Sequence, residues 1–521
     1  MSVDKLKIVI AGPGAGKTYT LMQEALKCLP LLDPHRYCAV ITYTNAATDE
    51  IKTRISNEIK LQPNLFIGTI HSFLIRFVFE PFAHLLGISE VEKYYIDRAK
   101  LNYTPANPFA GKAQEKNIAE SLLKKGIVTY DQILGQAFQI IENNPQIAKL
   151  VSNRLQFVFI DEYQDSRLIK HNFIKKLFQQ NETYFYCIGD PLQSIFNFTY
   201  TFSQLKREPK PNFFSETPMV DFLSNYSPNV SSDVQNYRSS SNIVNIINFY
   251  ILKAEHKQIS VSGDNGVPVY FIEGNDKTAI LKMYRKIQKY HDIENLHQAA
   301  CIRSGKEIRR NLILTSEWKL LADTCNQGGI SVLPRDNHKQ SSHLVEISRV
   351  ILGVLGLKKT EALLYCNNEI EYRKFCFEIL RTIKSSLNDK YDAAKIRIRF
   401  QEKFNCELPT PSGQINVQDS LENLREKRVI SNCKDFYSAI HSSKGLEAIS
   451  VLVCAQTEAE LLKWLNFSNA NKDMDDNFRM GYVGFSRARE LLCIACLKPL
   501  KKQESTELLN QLNLKFSSKI Q

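Results

Sequence analysis

Residues 7–29 read KIVIAGPGAGKTYTLMQEALKCL. A short apolar strand, KIVIA (7–11), runs into a glycine-rich turn and then into a helical pattern starting at Lys17. Strand, glycine turn and helix in that order form a phosphate loop. The glycines let backbone N–H groups close around phosphate oxygens, and the helix N-terminus adds its positive dipole end. The nucleotide-binding set is therefore Ala11, Gly12, Pro13, Gly14, Ala15, Gly16, Lys17 and Thr18. Lys17 is expected to reach the β- and γ-phosphates, and the Thr18 hydroxyl to ligate Mg²⁺. The usual pattern opens on glycine where this chain has Ala11.

Working outward, YCAVITYT (37–44) is a second strand, followed by the polar helix NAATDEIKTRI. Further apolar runs read as buried strands: FVFID (157–161), YFYCIGD (184–190), VPVYFIEG (267–274), AACIR (299–303), SVLVCA (450–455) and LLCIAC (491–496). Short apolar runs alternating with helices predict parallel sheets covered on both faces. Residues 86–150 and 336–425 are mostly helical, the first with a loop near PANPFAGKAQ. The second has a basic segment from Lys390 to Lys403 and a Pro/Gly break at 409–413. The stretch 206–232 carries four prolines and reads as an extended connector. The fold class is α/β: two lobes with parallel sheets, each carrying a mostly helical insertion. The expected division is 1–85, 151–228 (first lobe), 86–150 (insertion), 229–335, 426–521 (second lobe) and 336–425 (insertion).

FVFIDEYQDS (157–166) supplies the second half of the site. Its strand delivers Asp161 at the C-terminal end, where α/β sheets build their sites. Asp161 is expected to hold Mg²⁺, and Glu162 to orient and deprotonate the attacking water. YCIGDPLQSIF (186–196) ends a strand at Gly189-Asp190 and projects the Gln193 amide, which can sense a γ-phosphate.

The 521 residues are 43% hydrophobic and 23% charged, with a net charge of +12, a surplus compatible with a polyanion partner. No apolar run approaches the ~20 residues that span a bilayer, and the N-terminus does not resemble a signal peptide, so a cytoplasmic location is expected. Twelve cysteines are scattered singly apart from Cys493 and Cys496, which read as small buried hydrophobes in a strand.

The motifs together resemble a UvrD/Rep-type superfamily 1 helicase. In order they are AGPGAGKT (11–18), ITYTNAATDEI (41–51), IGTIHSF (67–73), VTYDQIL (128–134), FIDEYQDS (159–166), IGDPLQSIF (188–196), QNYRSSSNIV (235–244), AACIR (299–303), AIHSSKGLEAISVLV (439–453) and RMGYVGFSRARE (479–490). The resemblance implies two RecA-like P-loop motor domains with ATP in the cleft between them. It assigns Tyr237 to stacking on adenine, Arg238 to the γ-phosphate, Glu447 to the ribose, and Arg487 to a second arginine finger. For single-stranded DNA it assigns Tyr43, Thr69, His71, His441 and Ser442, with Phe196 and Phe198 where the family has Tyr and Trp. Aromatic residues next to strands are more often core than ligand, so both readings stand for these rings.

Three features depart from the family pattern. No glutamine precedes Ala11 to read adenine, Tyr19 stands where arginine is common, and TYT (199–201) replaces an Arg-Gly. Both insertions are short beside the accessory domains of replicative and repair relatives, and no nuclease domain is expected after Arg487. The implied activity is an ATP- and Mg²⁺-dependent DNA helicase or translocase moving 3′ to 5′ on single-stranded DNA and at single-strand/duplex junctions. A second reading is a DNA-end-sensing ATPase subunit of an antiviral system such as the Gabija type, working with a partner nuclease. An RNA-directed motor is a third.

Overall fold

A computed structural model of the chain describes residues 5–86, 95–97, 127–195, 218–332, 343–379, 393–408, 435–465 and 477–516, less a few positions within those spans. In chain order the strands are β1 (Leu6–Ala11), β2 (Tyr37–Thr42), β3 (Leu65–Thr69), β4 (Tyr95–Asp97), β5 (Ile127–Thr129), β6 (Leu155–Ile160), β7 (Tyr184–Gly189) and β8 (Asn229–Asp233). They continue with β9 (Gln235–Asn236), β10 (Ile259–Ser260), β11 (Tyr270–Glu273), β12 (Arg309–Thr315) and β13 (Ser331–Val332). The last are β14 (Asp435–Ala439), β15 (Ala448–Ala455), β16 (Ala488–Cys496) and β17 (Lys515–Phe516).

The fold is α/β with parallel sheets, as the alternation of apolar runs and helices predicts. A six-stranded sheet has the order β3-β2-β6-β7-β1-β8, and a seven-stranded sheet the order β13-β14-β12-β15-β16-β11-β17. Pairing is parallel throughout the first and throughout the second. Parallel strands need crossover helices, which bury both faces and explain why the central strands are apolar runs without alternation. In the first sheet Val9, Val40, Phe159 and Ile188 pack against Leu21 and Met22 of the helix Lys17–Cys28 and Ile51 and Ile55 of the helix Asn45–Glu58. In the second, Ile280, Tyr284 and Ile287 recur at helical spacing along Lys277–Tyr290 and meet Ile272, Leu452 and Cys493. Asp276 starts that helix by accepting the Ala279 N–H at 3.0 Å. Burying each large apolar side chain contributes about 1.5–3 kcal/mol.

The chain divides into two units. The first, Met1–Val78, Ala137–His338 and Lys434–Gln521, contains both large sheets. The second is Phe79–Gln136 and Lys339–Cys433. Its helix His343–Leu355 buries Ile347, Ile351, Val354 and Leu355 with Ile396 and Phe400 of the helix Ala393–Phe404. Arg397 donates to the carbonyls of Val354 and Leu355 at 3.2 and 2.9 Å, closing the helix end ahead of Gly356 at φ 69°. The short pair β4–β5 also lies in this unit.

Two expectations are corrected. AACIR (299–303) is not a strand: it belongs to the helix Ile293–Ser304, and the buried strand is RRNLILT, Arg309–Thr315. A run of three or four apolar residues does not distinguish strand from helix, and two alanines favour the helix. The stretch 206–232 is not simply an extended connector. Its described part forms the helix Pro218–Asn225 and most of β8, which pairs with β1 at the sheet edge. β8 is polar because an edge strand faces water. The PANPFAGKAQ loop, the 409–413 break, Phe196 and Phe198 lie outside the described residues.

Candidate nucleotide site and strand track

β1 ends at the fully buried Ala11, and the turn that follows puts Gly14 at φ 75° and Gly16 at φ 76°. Side chains other than glycine seldom adopt that backbone, so these two glycines shape the loop. Lys17, buried, folds back so that its ammonium donates to the carbonyls of Ala11 and Gly12 at 3.3 and 3.2 Å. The Thr18 hydroxyl donates to Asp161 Oδ2 at 2.8 Å, bringing together the two groups expected at Mg²⁺. A hydroxyl and a buried carboxylate are hard oxygen donors, and a few such groups beside a phosphate site are what Mg²⁺ takes. Burial first, and Glu162 next, raise the Asp161 carboxyl above its usual range, so a cation there relieves its desolvation.

Glu162 lies two residues past the end of β6 and has φ 50°, the left-handed region. For a residue with a side chain this conformation costs roughly 1–2 kcal/mol. Burial opposes its charge, yet Lys17, Lys444, Gln164 and Arg487 together hold its carboxyl well below the ordinary range. Glu162 is thus ionised beside the phosphate loop. Gln164 donates to Glu162 and accepts the Asp190 N–H at 3.0 Å. An added Cβ at Gly189 would overlap the Gln164 side-chain oxygen and push that amide out of this position.

The arginines come from the turn after β9 and from just before β16. Arg238 donates through Nε to Glu447 at 2.7 Å and through Nη1 to the Ser486 carbonyl at 3.0 Å. Glu447 also accepts from Arg489 at 2.7 Å. Arg487 is buried, donating to Val483 O at 2.9 Å and to Gln193 Oε1 at 3.2 Å. Burial and Arg238 work against its charge, Glu162 and Glu447 support it, and a guanidinium keeps its proton at working pH. Gln193 in turn donates to Asp190 Oδ2 at 2.7 Å. One amide therefore joins the end of β7 to an arginine at the start of β16. Tyr237 is exposed, and its N–H donates to Gly14 O at 2.9 Å.

Sequence reasoning missed several contributors. Lys444 pairs with Asp165, donates to Gln193 O at 3.2 Å and stands 3.8 Å from Glu162. Tyr482 donates to Asp190 Oδ2 at 2.9 Å, and Arg479 to Ser194 O at 2.6 Å. All three sit inside quoted motifs, but nothing local marks their partners. Behind the acidic pair, the Tyr163 hydroxyl meets His171 Nδ1 at 2.8 Å, and His171 Nε2 meets Asp221 at 2.8 Å. Lys175 also donates to Asp221, at 3.0 Å. Replacing His171 by Ala is expected to cost about 1–3 kcal/mol in urea unfolding, because the Tyr163 hydroxyl loses a buried partner. Burial lowers the His171 pKa below 6.5 despite Asp221. The unfolded chain therefore takes this proton more readily, and stability is lost as pH falls through 6.5. The variant should show a flatter loss between about pH 7 and 5 than the parent.

The proposed strand-track residues fall at strand ends. Tyr43 is 36% exposed after β2, with the Lys170 ammonium 5.3 Å from its ring centroid. Thr42 is in register with Thr69, so Tyr43, Thr69 and His71 lie at the C-terminal ends of the neighbouring strands β2 and β3. Thr69 caps the helix Ile70–Leu74 through the Ser72 N–H at 3.4 Å. His441 and Ser442 lie in the turn after β14, and burial lowers the His441 pKa. Cys493 and Cys496 are both buried in β16, where burial raises their thiol pKa values and leaves them unreactive. Among the described residues no helix is long and apolar enough to cross a membrane.

Residues 2–98 and 88–205 match the UvrD/REP helicase N-terminal domain. The chain is similar to the "Probable DNA helicase II homolog" of Mycoplasma genitalium, 22% identical over 98% of this chain and 85% of that protein. It is 23% identical to the "ATP-dependent DNA helicase Rep" of Buchnera aphidicola subsp. Schizaphis graminum, covering 93% and 90%. A shorter similarity, 28% identical over 36% of this chain and 37% of the relative, is to the "Gabija protein GajB" of Bacillus cereus.

Proposed function

We propose, from the match of residues 2–98 and 88–205 to the UvrD/REP helicase N-terminal domain, that the chain is an ATP-dependent DNA helicase or translocase with two RecA-like motor domains, moving 3′ to 5′ on single-stranded DNA. The observation that carries this reading is the Gln193 bridge, with Asp190 on one side and Arg487 on the other. It supports a site in which the first sheet binds phosphates and the turns after β9 and before β16 supply arginines.

Lys17 and the loop N–H groups hold the phosphates of ATP, and Tyr237 offers its exposed ring to the base. Thr18 and Asp161 would hold Mg²⁺, which when bound would supply positive charge against the phosphate oxygens. Glu162 orients a water against the γ-phosphorus and accepts its proton as the bond to the ADP oxygen breaks. Arg238 and Arg487 stabilise the negative charge that spreads over the transferred group. Gln193, touching both Arg487 and Asp190, couples the presence of that group to the strand ends. Tyr43, Thr69, His71, His441 and Ser442, with Phe196 and Phe198, form the DNA track, where bases stack on rings and polar groups follow the phosphates.

ATP hydrolysis by the purified chain should rise at least tenfold on adding single-stranded DNA and vanish in Lys17→Ala. Hydrolysis that ignores DNA would sink the motor reading. Unwinding of a 3′-tailed duplex and not a 5′-tailed one tests polarity; movement without strand separation would leave a translocase. The GajB similarity favours one further reading, a DNA-end-sensing ATPase that works with a nuclease in antiviral defence. Co-purification with a nuclease, together with weak unwinding by the chain alone, would support it.

A further inference from the structure

Gln258 belongs to none of the motifs, yet it is buried against the phosphate loop. Its Nε2 donates to the Pro13 carbonyl at 3.1 Å. The same carbonyl accepts from Asn236 Nδ2 at 2.9 Å, and that Nδ2 also donates to Gln258 Oε1 at 3.1 Å. Two amides thus close on one carbonyl of the loop.

Both are themselves held. Gln258 exchanges two hydrogen bonds with Asn248: its N–H donates to Oδ1 at 2.7 Å and its carbonyl accepts from Nδ2 at 2.8 Å. β9 and β10 pair Gln235 with Ile259 and Asn236 with Ser260, fixing the backbone on either side. Asn236 Oδ1 accepts the N–H groups of Arg238 and Ser239 at 2.9 and 2.8 Å, so the turn carrying Tyr237 and Arg238 is set by the same side chain. At Gly12 and Gly14 the loop leaves little room. The three atoms nearest an added Cβ at Gly12 all belong to the Gln258 amide, the first at 2.6 Å, and at Gly14 the nearest is Asn236 Oδ1 at 2.6 Å.

We propose that Gln258 is a positioning residue for nucleotide binding, fixing the Pro13–Gly14 peptide from outside the loop. Across a trans peptide the N–H opposes the C=O. Holding the Pro13 carbonyl toward the two amides turns the Gly14 N–H away from them, and the loop keeps one shape whether or not phosphate is present. A loop fixed beforehand binds more tightly, because its ordering is not charged to the ligand. Asn236 extends the same constraint to the arginine-bearing turn.

This rests on the ATP reading above, and the test separates the two. A fluorescent ATP analogue is titrated into the full chain, and ATPase activity is measured with saturating single-stranded DNA. Gln258→Glu replaces a donor with an acceptor at constant size. It should weaken analogue binding and raise KM for ATP about tenfold, the effect of one lost buried hydrogen bond. kcat should change less than twofold. Wild type that binds no analogue defeats the ATP reading itself. Wild type that binds, with Gln258→Glu binding equally well or losing kcat at constant KM, overturns the role of Gln258 alone. Should Gln258→Glu fail to fold, Gln258→Ala decides: it should raise KM for ATP about tenfold with kcat changed less than twofold, and an unchanged KM overturns the proposal.

Discussion

Glu162→Gln is expected to lower DNA-stimulated ATPase kcat by about 10²–10⁴-fold, the usual contribution of a positioned general base. Binding of the fluorescent ATP analogue should stay within a few-fold of wild type. The substitution keeps the size and removes only the charge. Lys17 and Lys444 hold this carboxylate ionised, so at neutral pH wild type has the group that the glutamine lacks. The backbone gives a second reason to place chemistry here. φ 50° at Glu162 is a conformation an L-residue adopts at a cost, and such strain persists where the surroundings over-determine it. The chain should still fold. Gln164, which donates to Glu162, can equally donate to the new amide oxygen, but the lowered carboxyl pKa means that the ionised group adds stability at neutral pH, so the melting temperature should fall slightly. A kcat within tenfold of wild type, with DNA stimulation intact, would falsify the assignment of Glu162.

Arg238→Ala should reduce kcat by about 10³–10⁵-fold, the range for an arginine acting on a transferring phosphoryl group. Arg238 is held by Glu447 and Ser486 O, so its loss removes a planar charge set in a fixed direction. Arg238→Lys should recover little, because an ammonium cannot reproduce two directed contacts from one plane. The protein should still fold. Glu447 retains Arg489 at 2.7 Å, so no buried carboxylate is left without a cation. Analogue binding within a few-fold of wild type together with a collapsed kcat would assign Arg238 to the transition state. Equal losses in binding and turnover would assign it to ground-state binding, and an unchanged kcat would remove it from the reaction.

Several of these groups could be read from the chain alone because their chemistry is local. A strand, two glycines with positive φ and a helix that begins at Lys17 are consecutive, and their spacing already dictates a phosphate loop. Asp161 and Glu162 are likewise fixed by the apolar strand before them. Local reading failed where length was the only cue. AACIR has too few residues to reveal a period, and the packing of Ala300 and of His297, bonded to Ile308 O at 2.7 Å, made it a helix. The proline-bearing stretch before β8 was misread for a related reason. Its polar composition suits an edge strand as well as a connector, and only pairing with β1 distinguishes the two.

The sequence by itself determined that a phosphate loop and an acidic strand end exist, because backbone conformation and apolar periodicity are set within about ten residues. What the loop touches was decided by tertiary structure. Pro13 and Gln258 are 245 positions apart, Asp165 and Lys444 279, and Gln193 and Arg487 294. A buried amide or ammonium must find a partner, but its residue type does not say which. The sheets chose the partners by bringing their strand ends together, and with them the loop expected to bind phosphate came to stand beside a carboxylate, two arginines and a pair of amides.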